Sequence, residues 1–264
     1  MLYHVSKLEH YNILAEDGEL GKVKDLYFDD HKWAVRYLVV DTRKWLPGKK
    51  VVVSPSGFDS VVPEEQAIYI RDKKEDIRNN ASLEEKQAFS REKEMELTDF
   101  FGWKQYWAGD YLWGGYGSPL ATMPEPGQKE MLAAKENNPP IEEGKYTGDD
   151  KLRSIEEIKG AVKHGIVHGK DGKAGYISDI IVDDETWKIR YLVVNTSEWS
   201  TNFQVLLSPA WLQSIDWVDN NFYIDLSLET IEAGPNYDKH QEITEELEEE
   251  IYRKYQKEPY WINK

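Results

Sequence analysis

The chain has 264 residues, of which 40% are hydrophobic and 31% are charged, a balance that is typical of folded globular proteins and excludes a largely disordered chain. Its formal charge of −16 repels phosphate backbones and anionic membrane surfaces, so we expect no nucleic-acid partner. The sequence contains no cysteine, which excludes disulfides and cysteine-based metal sites, and no apolar stretch approaches the roughly 20 residues of a membrane-spanning helix.

A β-hairpin is the first element that the sequence predicts. Residues 23–28 and 33–40 are rich in β-branched and aromatic residues, and the polar sequence Asp29-Asp30-His31-Lys32 between them is typical of a turn. Shorter strands are predicted at residues 50–53 and 66–70. Many short strands with closely spaced turns indicate a small barrel or a sandwich.

Helical sequence follows the strands. Ser82-Leu83-Glu84-Glu85 is a capping-box sequence and predicts the start of a helix, and Ser154-Ile155-Glu156-Glu157 predicts a second, short one. Residues 244–254 place Leu247 and Ile251 at the spacing of an amphipathic helix.

Residues 108–152 have the composition of a linker. They are dense in glycine, proline, asparagine and acidic residues. We therefore predict two domains, residues 1–107 with a helical and aromatic tail and residues 153–264 with an acidic helical tail.

The two predicted domains are copies of one sequence unit. Residues 17–60 align without a gap to residues 171–214, so the offset is a constant 154. The run RYLVV occurs at the same place in both copies, and the offset still matches Tyr106-Trp107 with Tyr260-Trp261. An internal duplication of this length predicts the same strand order in both halves.

The repeated motifs resemble the PRC-barrel family, the domain named for the H subunit of the photosynthetic reaction centre. In both copies a D-G-x-x-G motif precedes D-D-x-x-W and R-Y-L-V-V, and a late S-P follows. The resemblance covers most of residues 5–75 and 153–228. It implies a mainly β fold with helical appendages, built as two small PRC-type β-barrels in tandem. It also implies a binding and assembly module without catalytic residues.

Charged residues recur at equivalent positions of the two hairpins. Pairing the strands symmetrically about the four-residue turn places Asp25 opposite Arg36 and, in the second copy, Asp179 opposite Arg190. We therefore predict two structural ion pairs and no catalytic residues.

Two further groups of residues are candidates for metal ligands. The pairs Asp29-Asp30 and Asp183-Asp184 lack the alternating ligands of a calcium loop, so ordinary turn chemistry is the interpretation. His164 and His168 stand four residues apart, but the glycines around them favour a loop or strand over a helix. We predict no metal and no cofactor.

Aromatic residues near the end of each copy and in the linker have two interpretations. They either pack over the protein itself or form an interaction surface. The residues proposed for this surface are Trp103, Tyr106, Trp107, Trp113, Tyr260 and Trp261.

Two classes of function remain open. The first is a non-enzymatic module that binds a protein partner or a second copy of itself, and the acidic residues 242–250 would steer a basic partner. The second is a small-ligand carrier or an enzyme, with a site between the two barrels that is lined by linker aromatics. The first residues, MLYHVSKLEHYN, lack the features of a signal peptide, so we expect a cytoplasmic protein.

The hairpin also predicts how the two halves are arranged. Both faces of residues 33–40 are largely apolar, whereas a sheet with one wet face alternates polar and apolar residues. We therefore expect the barrels to pack against each other or under the aromatic tails. In either case Leu38, Val40, Leu192 and Val194 are buried.

Overall fold

The computed structural model of the protein describes seven stretches of the chain. They are residues 1–43, 46–47, 49–84, 89–121, 152–159, 165–196 and 203–262. The fold is mainly β, with two sheets and a few helices, as the sequence predicts.

Fifteen strands occur in the described residues. The first nine are β1 (Leu2–His4), β2 (Asn12–Ala15), β3 (Gly18–Asp29), β4 (Ala34–Val40), β5 (Lys49–Val53), β6 (Phe58–Val62), β7 (Ala67–Ile70), β8 (Ser82–Glu84) and β9 (Leu152–Ser154). The others are β10 (Ile166–Gly169), β11 (Gly172–Asp183), β12 (Ile189–Asn195), β13 (Gln204–Leu207), β14 (Leu212–Asp216) and β15 (Asn221–Ile224).

The described helices are short and lie between or after the strands. They are α1 (Val5–Leu8), α2 (Lys74–Asn80), α3 (Arg91–Phe101), α4 (Glu156–Lys159), α5 (Leu228–Glu232) and α6 (Glu245–Lys254). The helices predicted near residues 154 and 244 are confirmed as α4 and α6. The prediction that a helix begins at Ser82 is wrong, because Ser82–Glu84 pairs with β5 as strand β8. Within the described ranges, no helix is both long enough and apolar enough to span a membrane.

The two sheets have the same strand order. One runs β6-β7-β2-β3-β4-β5-β8, and the other runs β14-β15-β10-β11-β12-β13. In each sheet one pair is parallel, β2 with β7 and β10 with β15, whereas the other neighbours on these paths are antiparallel. We call β2–β8 the first unit and β10–β15 the second unit. Among the strand pairs of the described residues, none joins the two ends of either sheet.

Glycine allows the long strand of each unit to cross its neighbour closely. Gly21 in β3 and Gly175 in β11 have φ values of +140° and +155°. A Cβ atom on Gly21 would collide with the backbone carbonyl of Asp41, and one on Gly175 would collide with that of Asn195. No other residue fits this backbone without strain, which explains why glycine stands at both positions.

The two units exchange short strands. β1 pairs antiparallel with β11, with Tyr3 opposite Val182, whereas β9 pairs antiparallel with β3, with Arg153 opposite Phe28. Phe28 and Val182 are equivalent positions, because they differ by the repeat offset. Each unit therefore receives its added strand at the same place, from the segment that leads into the other unit.

The hairpin tips of the units also meet. The Val35 N–H donates to the Trp187 carbonyl at 2.8 Å, and the Ile189 N–H donates to the Trp33 carbonyl at 2.6 Å. Both tryptophans have positive φ, 53° and 59°, which is uncommon for a large residue. The contacts are reciprocal, so the two units are related as the halves of a symmetric dimer are.

The core is continuous across both units. Leu38, Val40, Leu192 and Val194 are at most 1% exposed, which confirms the expected burial of both faces of the hairpin. Buried side chains of the two units belong to one hydrophobic cluster. The units are thus packed together by apolar contacts as well as by strand exchange.

Candidate functional site

An arginine with little or no exposure occupies a bulge in each hairpin. In the first unit Tyr27 pairs with Tyr37 and Phe28 with Val35, so Arg36 has no partner residue across the ladder. The second unit repeats the irregularity at Arg190.

The observed register gives each arginine a different partner from the one that symmetric strand pairing predicts. Arg36 Nη2 donates to Asp29 Oδ2 at 2.8 Å, and Arg190 Nη2 donates to Asp183 Oδ2 at 2.7 Å. The predicted pairs of Asp25 with Arg36 and of Asp179 with Arg190 are therefore wrong. The two arginines do form structural ion pairs, but with the first aspartate of each turn.

The turn aspartate has two roles at once. Asp29 Oδ1 accepts hydrogen bonds from the backbone N–H groups of His31 and Lys32, as expected of a turn residue, while Oδ2 accepts from Arg36. Burial acts to raise the pKa of Asp29, but the adjacent Arg36 guanidinium outweighs burial and holds the pKa below its ordinary value. Asp183 has the same arrangement with Arg190.

Aromatic rings cover the two guanidinium groups. The Arg36 guanidinium lies 4.1 Å from the centre of the Tyr106 ring and 4.6 Å from that of Trp113, and Arg190 lies 4.1 Å from the centre of Tyr260. These are cation–π distances. Arg36 Nε and Nη1 have no hydrogen-bond partner, so the rings and Asp29 are the main compensation for burying this charge.

A buried glutamate completes each cluster. The Tyr106 hydroxyl donates to Glu94 at 2.7 Å, and the hydroxyls of Tyr191 and Tyr260 donate to Glu248 at 2.7 and 3.1 Å. Burial raises the pKa of Glu94 to about 7 and also raises that of Glu248. Glu94 and Glu248 are separated by the repeat offset, and that match is the sequence signal that could have identified them.

The aspartates that were predicted as ion-pair partners instead hold the exchanged strands. Asp25 accepts hydrogen bonds from Ser154 Oγ at 2.6 Å and from the Glu156 N–H at 3.2 Å. Burial raises the pKa of Asp25 to about 6. Each bond joins β3 of the first unit to the segment that leads into the second.

Asp179 plays the equivalent part in the second unit. It accepts from Ser6 Oγ at 2.5 Å and lies 2.8 Å from His4 Nδ1, while His4 Nε2 lies 2.6 Å from the Tyr237 hydroxyl. Burial acts to raise the pKa of Asp179, but the hydrogen bonds from His4 and Ser6 outweigh it and keep the pKa below its ordinary value. The N-terminal strand is thus fixed to the other unit by side chains as well as by its backbone.

A pocket of about 550 Å³ is lined by Ser56 and Arg71 of the first unit and by residues between 102 and 121, which follow α3. Arg71 and Lys104 are its two cationic side chains, and Trp103, Trp113 and Tyr116 provide aromatic walls. Lys104 Nζ lies 3.4 Å from the centre of the Tyr116 ring and donates to the Ala121 carbonyl. Its pKa is lowered by burial and by the nearby Arg71. This pocket has the linker aromatics that were predicted for a site between the barrels, but it lies within the first unit and its linker.

Sequence comparison identifies the domain that contains the first hairpin. Residues 1–77 match the PRC-barrel domain. The matched PRC-barrel segment runs from β1 to Ile77 in α2, and the second unit lies outside it. A search of curated proteins found no match to the chain.

Most of the aromatic residues proposed as an interaction surface pack against the PRC-barrel segment or against the second unit. Tyr106 and Trp113 are buried, so their assignment to a surface is wrong. Trp107, Tyr260 and Trp261 are partly buried and pack against the core. Tyr260 covers Arg190, while Trp107 and Trp261 pack edge-on against Tyr106 and Tyr260.

The first part of the linker is docked on the second unit. Trp113 Nε1 donates to the Thr186 carbonyl and Ser118 Oγ to the Glu185 carbonyl, each at 2.7 Å. Trp103 is also largely buried, but it lines the pocket.

Of the two histidines that stand at the spacing of metal ligands, His164 lies outside the described residues. His168 Nε2 is 2.9 Å from Asn221 Oδ1.

Proposed function

We propose that the protein is a non-enzymatic assembly module, in which two PRC-type barrels form one rigid platform for a protein partner in the cytoplasm. The reciprocal strand exchange carries this proposal. It joins the units through β1, β9 and the hairpin tips, so a partner would meet one body of fixed geometry. The PRC-barrel match supports it, since the resemblance implies binding and assembly.

The chemistry of the buried polar groups also supports a role without catalysis. His4, Asp179 and Ser6 are residue types that hydrolases use, but Ser6 donates to Asp179 and the histidine does not lie between them. In a hydrolase triad the histidine contacts the serine as its base, whereas His4 contacts Asp179 and Tyr237 and no hydrogen bond joins it to Ser6. His4 is also only 5% exposed, so its ring is covered by the protein itself.

The surface favours a basic partner with an apolar anchor. A net charge of −16 attracts basic proteins over long distances. On the acidic helix α3, Met95 and Phe100 are 47% and 56% exposed, so this helix offers apolar side chains beside acidic ones. We propose that Phe100 is part of the contact.

Chemical cross-linking in extract of the source cells, followed by mass spectrometry, tests the proposal. The full chain should recover one basic protein, and Phe100→Glu should abolish its recovery. Val218→Glu is the matched control, because Val218 is 91% exposed in the second unit and the substitution changes the charge equally. Recovery should also weaken as salt rises.

Two results would contradict the proposed function. One is a recovered protein whose capture is unaffected by Phe100→Glu and by salt. The other is turnover of a small molecule by the purified chain that is lost when a buried polar residue such as Asp179 is replaced by asparagine while the fold is retained.

A further inference from the structure

The pocket contains two cationic side chains, Arg71 and Lys104. Among the described residues, neither Arg71 nor Lys104 forms a salt bridge with a carboxylate. Arg71 donates to the Ser56 carbonyl, and Lys104 donates to that of Ala121. Asp72 is the adjacent carboxylate, but it accepts from Trp103 Nε1 at 3.3 Å. Two cations side by side repel each other, so the pocket favours an anion.

The other walls of the pocket are aromatic. Trp103, Trp113 and Tyr116 line it, and about 550 Å³ lies within the usual range for sites of small ligands. An inorganic anion would leave these rings without contact. A ligand that carries both a negative charge and an aromatic ring would use the cations and the rings together.

The second copy lacks these cations, although its strand order is the same. At the repeat offset of 154, Arg71 corresponds to Asp225 and Lys104 to Glu258, so both charges are reversed. Asp225 is paired with Lys170 at 2.6 Å. The arginine, tyrosine and glutamate of the buried clusters, by contrast, are the same in both copies.

A third difference makes space for the pocket wall. Gly57 corresponds to Trp211, which is buried and packs edge-on against Tyr252. A Cβ atom at Gly57 would lie 2.5 Å from Trp103 Nε1, so Trp103 can occupy its place only because residue 57 is glycine. The two copies therefore differ in charge and in shape at this one site.

We propose that this pocket binds a small organic anion with an aromatic ring, such as an aromatic carboxylate, with Arg71 and Lys104 contacting the acid group and the walls at Trp103 and Tyr116 contacting the ring. The site is independent of the proposed contact with a protein partner. It also differs from the arginine clusters, whose guanidinium groups are covered by the protein's own aromatic rings.

Isothermal titration calorimetry on the full chain with 1-naphthoate tests the proposal. The neutral analogue 1-naphthylmethanol and inorganic phosphate are titrated alongside. We expect one molecule of 1-naphthoate to bind per chain. Both comparison compounds should bind at least about tenfold more weakly, since each lacks one of the two kinds of contact.

Variants locate the binding site. R71Q/K104Q should weaken 1-naphthoate binding by at least about tenfold, because two charge-assisted contacts are lost. The matched control is K7Q/R78Q, which removes two exposed cations elsewhere and gives the same net charge. It should leave the affinity unchanged. Lys104→Met, tested with circular dichroism as a check of folding, is used if the double variant does not fold.

Three outcomes would overturn the proposal. The first is no heat of binding at about 1 mM 1-naphthoate, where even weak sites are detected. The second is equal affinity for 1-naphthylmethanol. The third is unchanged affinity in the folded R71Q/K104Q or Lys104→Met variant.

Discussion

Replacing Asp29 by asparagine should destabilise the protein strongly, although the change is nearly isosteric. The asparagine side chain would keep an oxygen for the backbone N–H groups of His31 and Lys32, so the turn would be retained. What is lost is the negative charge beside Arg36, whose side chain is completely buried. The substitution therefore isolates the effect of leaving one buried charge without its partner.

The size of the effect follows from the surroundings of Arg36. Removing one member of a buried ion pair costs about 3–5 kcal/mol, because the remaining charge stays desolvated. Arg36 has no second hydrogen-bonded anion among the described residues, and its Nε and Nη1 are already without partners. We expect Asp29→Asn to lower the free energy of unfolding by about 3 kcal/mol or more.

The second unit provides the matched control. The Arg190 side chain is 12% exposed, and its Nη2 also lies 3.4 Å from Thr186 Oγ1. Asp183→Asn should therefore cost about 1–2 kcal/mol, less than Asp29→Asn, because Arg190 keeps partial contact with water.

Urea denaturation followed by tryptophan fluorescence measures both variants. Adding Arg36→Met to Asp29→Asn should recover much of the lost stability, since an apolar side chain can replace the unpaired charge. The reasoning is refuted if Asp29→Asn costs less than about 1 kcal/mol, or if Asp183→Asn costs more than Asp29→Asn.

Three further predictions concern the buried glutamate, a glycine and the exchanged strands. Because burial raises the pKa of Glu94 from 4.5 to about 7, its carboxyl binds a proton more tightly in the folded state, and its contribution to stability falls as pH rises across that window. Glu94→Gln should flatten the pH dependence of the urea midpoint there, and an unchanged slope would contradict this. Gly21→Ala should cost about 3 kcal/mol or more in chemical denaturation, because of backbone collision, whereas Gly18→Ala, where no atom lies within 4 Å, should cost less. A fragment of residues 1–121 should be a dimer in light scattering, with each β1 paired to the other copy's β3, and a stable monomer would argue against the exchange.

The sequence predicts the strands and helices better than it predicts which strands pair with each other. The mainly β fold, the hairpin and helix α6 follow from local patterns of apolar and polar residues. The strand exchange does not, because β1 and β9 have three residues each and no periodicity that distinguishes them from loop. Strand pairing between the two units depends on residues that are far apart in the chain, so no local sequence pattern indicates it.

The register error has a similar cause. Counting symmetrically from the turn places Phe28 opposite Trp33, but in the structure Phe28 lies opposite Val35, a difference of two residues. The bulge then leaves Arg36 without a partner across the ladder, and its side chain reaches Asp29 instead of Asp25. The recurrence of Asp29, Arg36, Glu94 and Tyr106 at one offset could have indicated a shared cluster. The pocket could not have been predicted this way, since it depends on residues at which the copies differ.

The reciprocal relation of the units also bears on how the molecule could diversify. In a dimer of identical chains, every substitution appears in both subunits, so a new pocket on one face must be tolerated twice. With both halves on one chain, a glycine can stand at position 57 while its counterpart Trp211 remains, and basic residues can replace acidic ones on one side alone. One half can then preserve the scaffold while the other changes, which is an asymmetry that a true two-fold dimer cannot have.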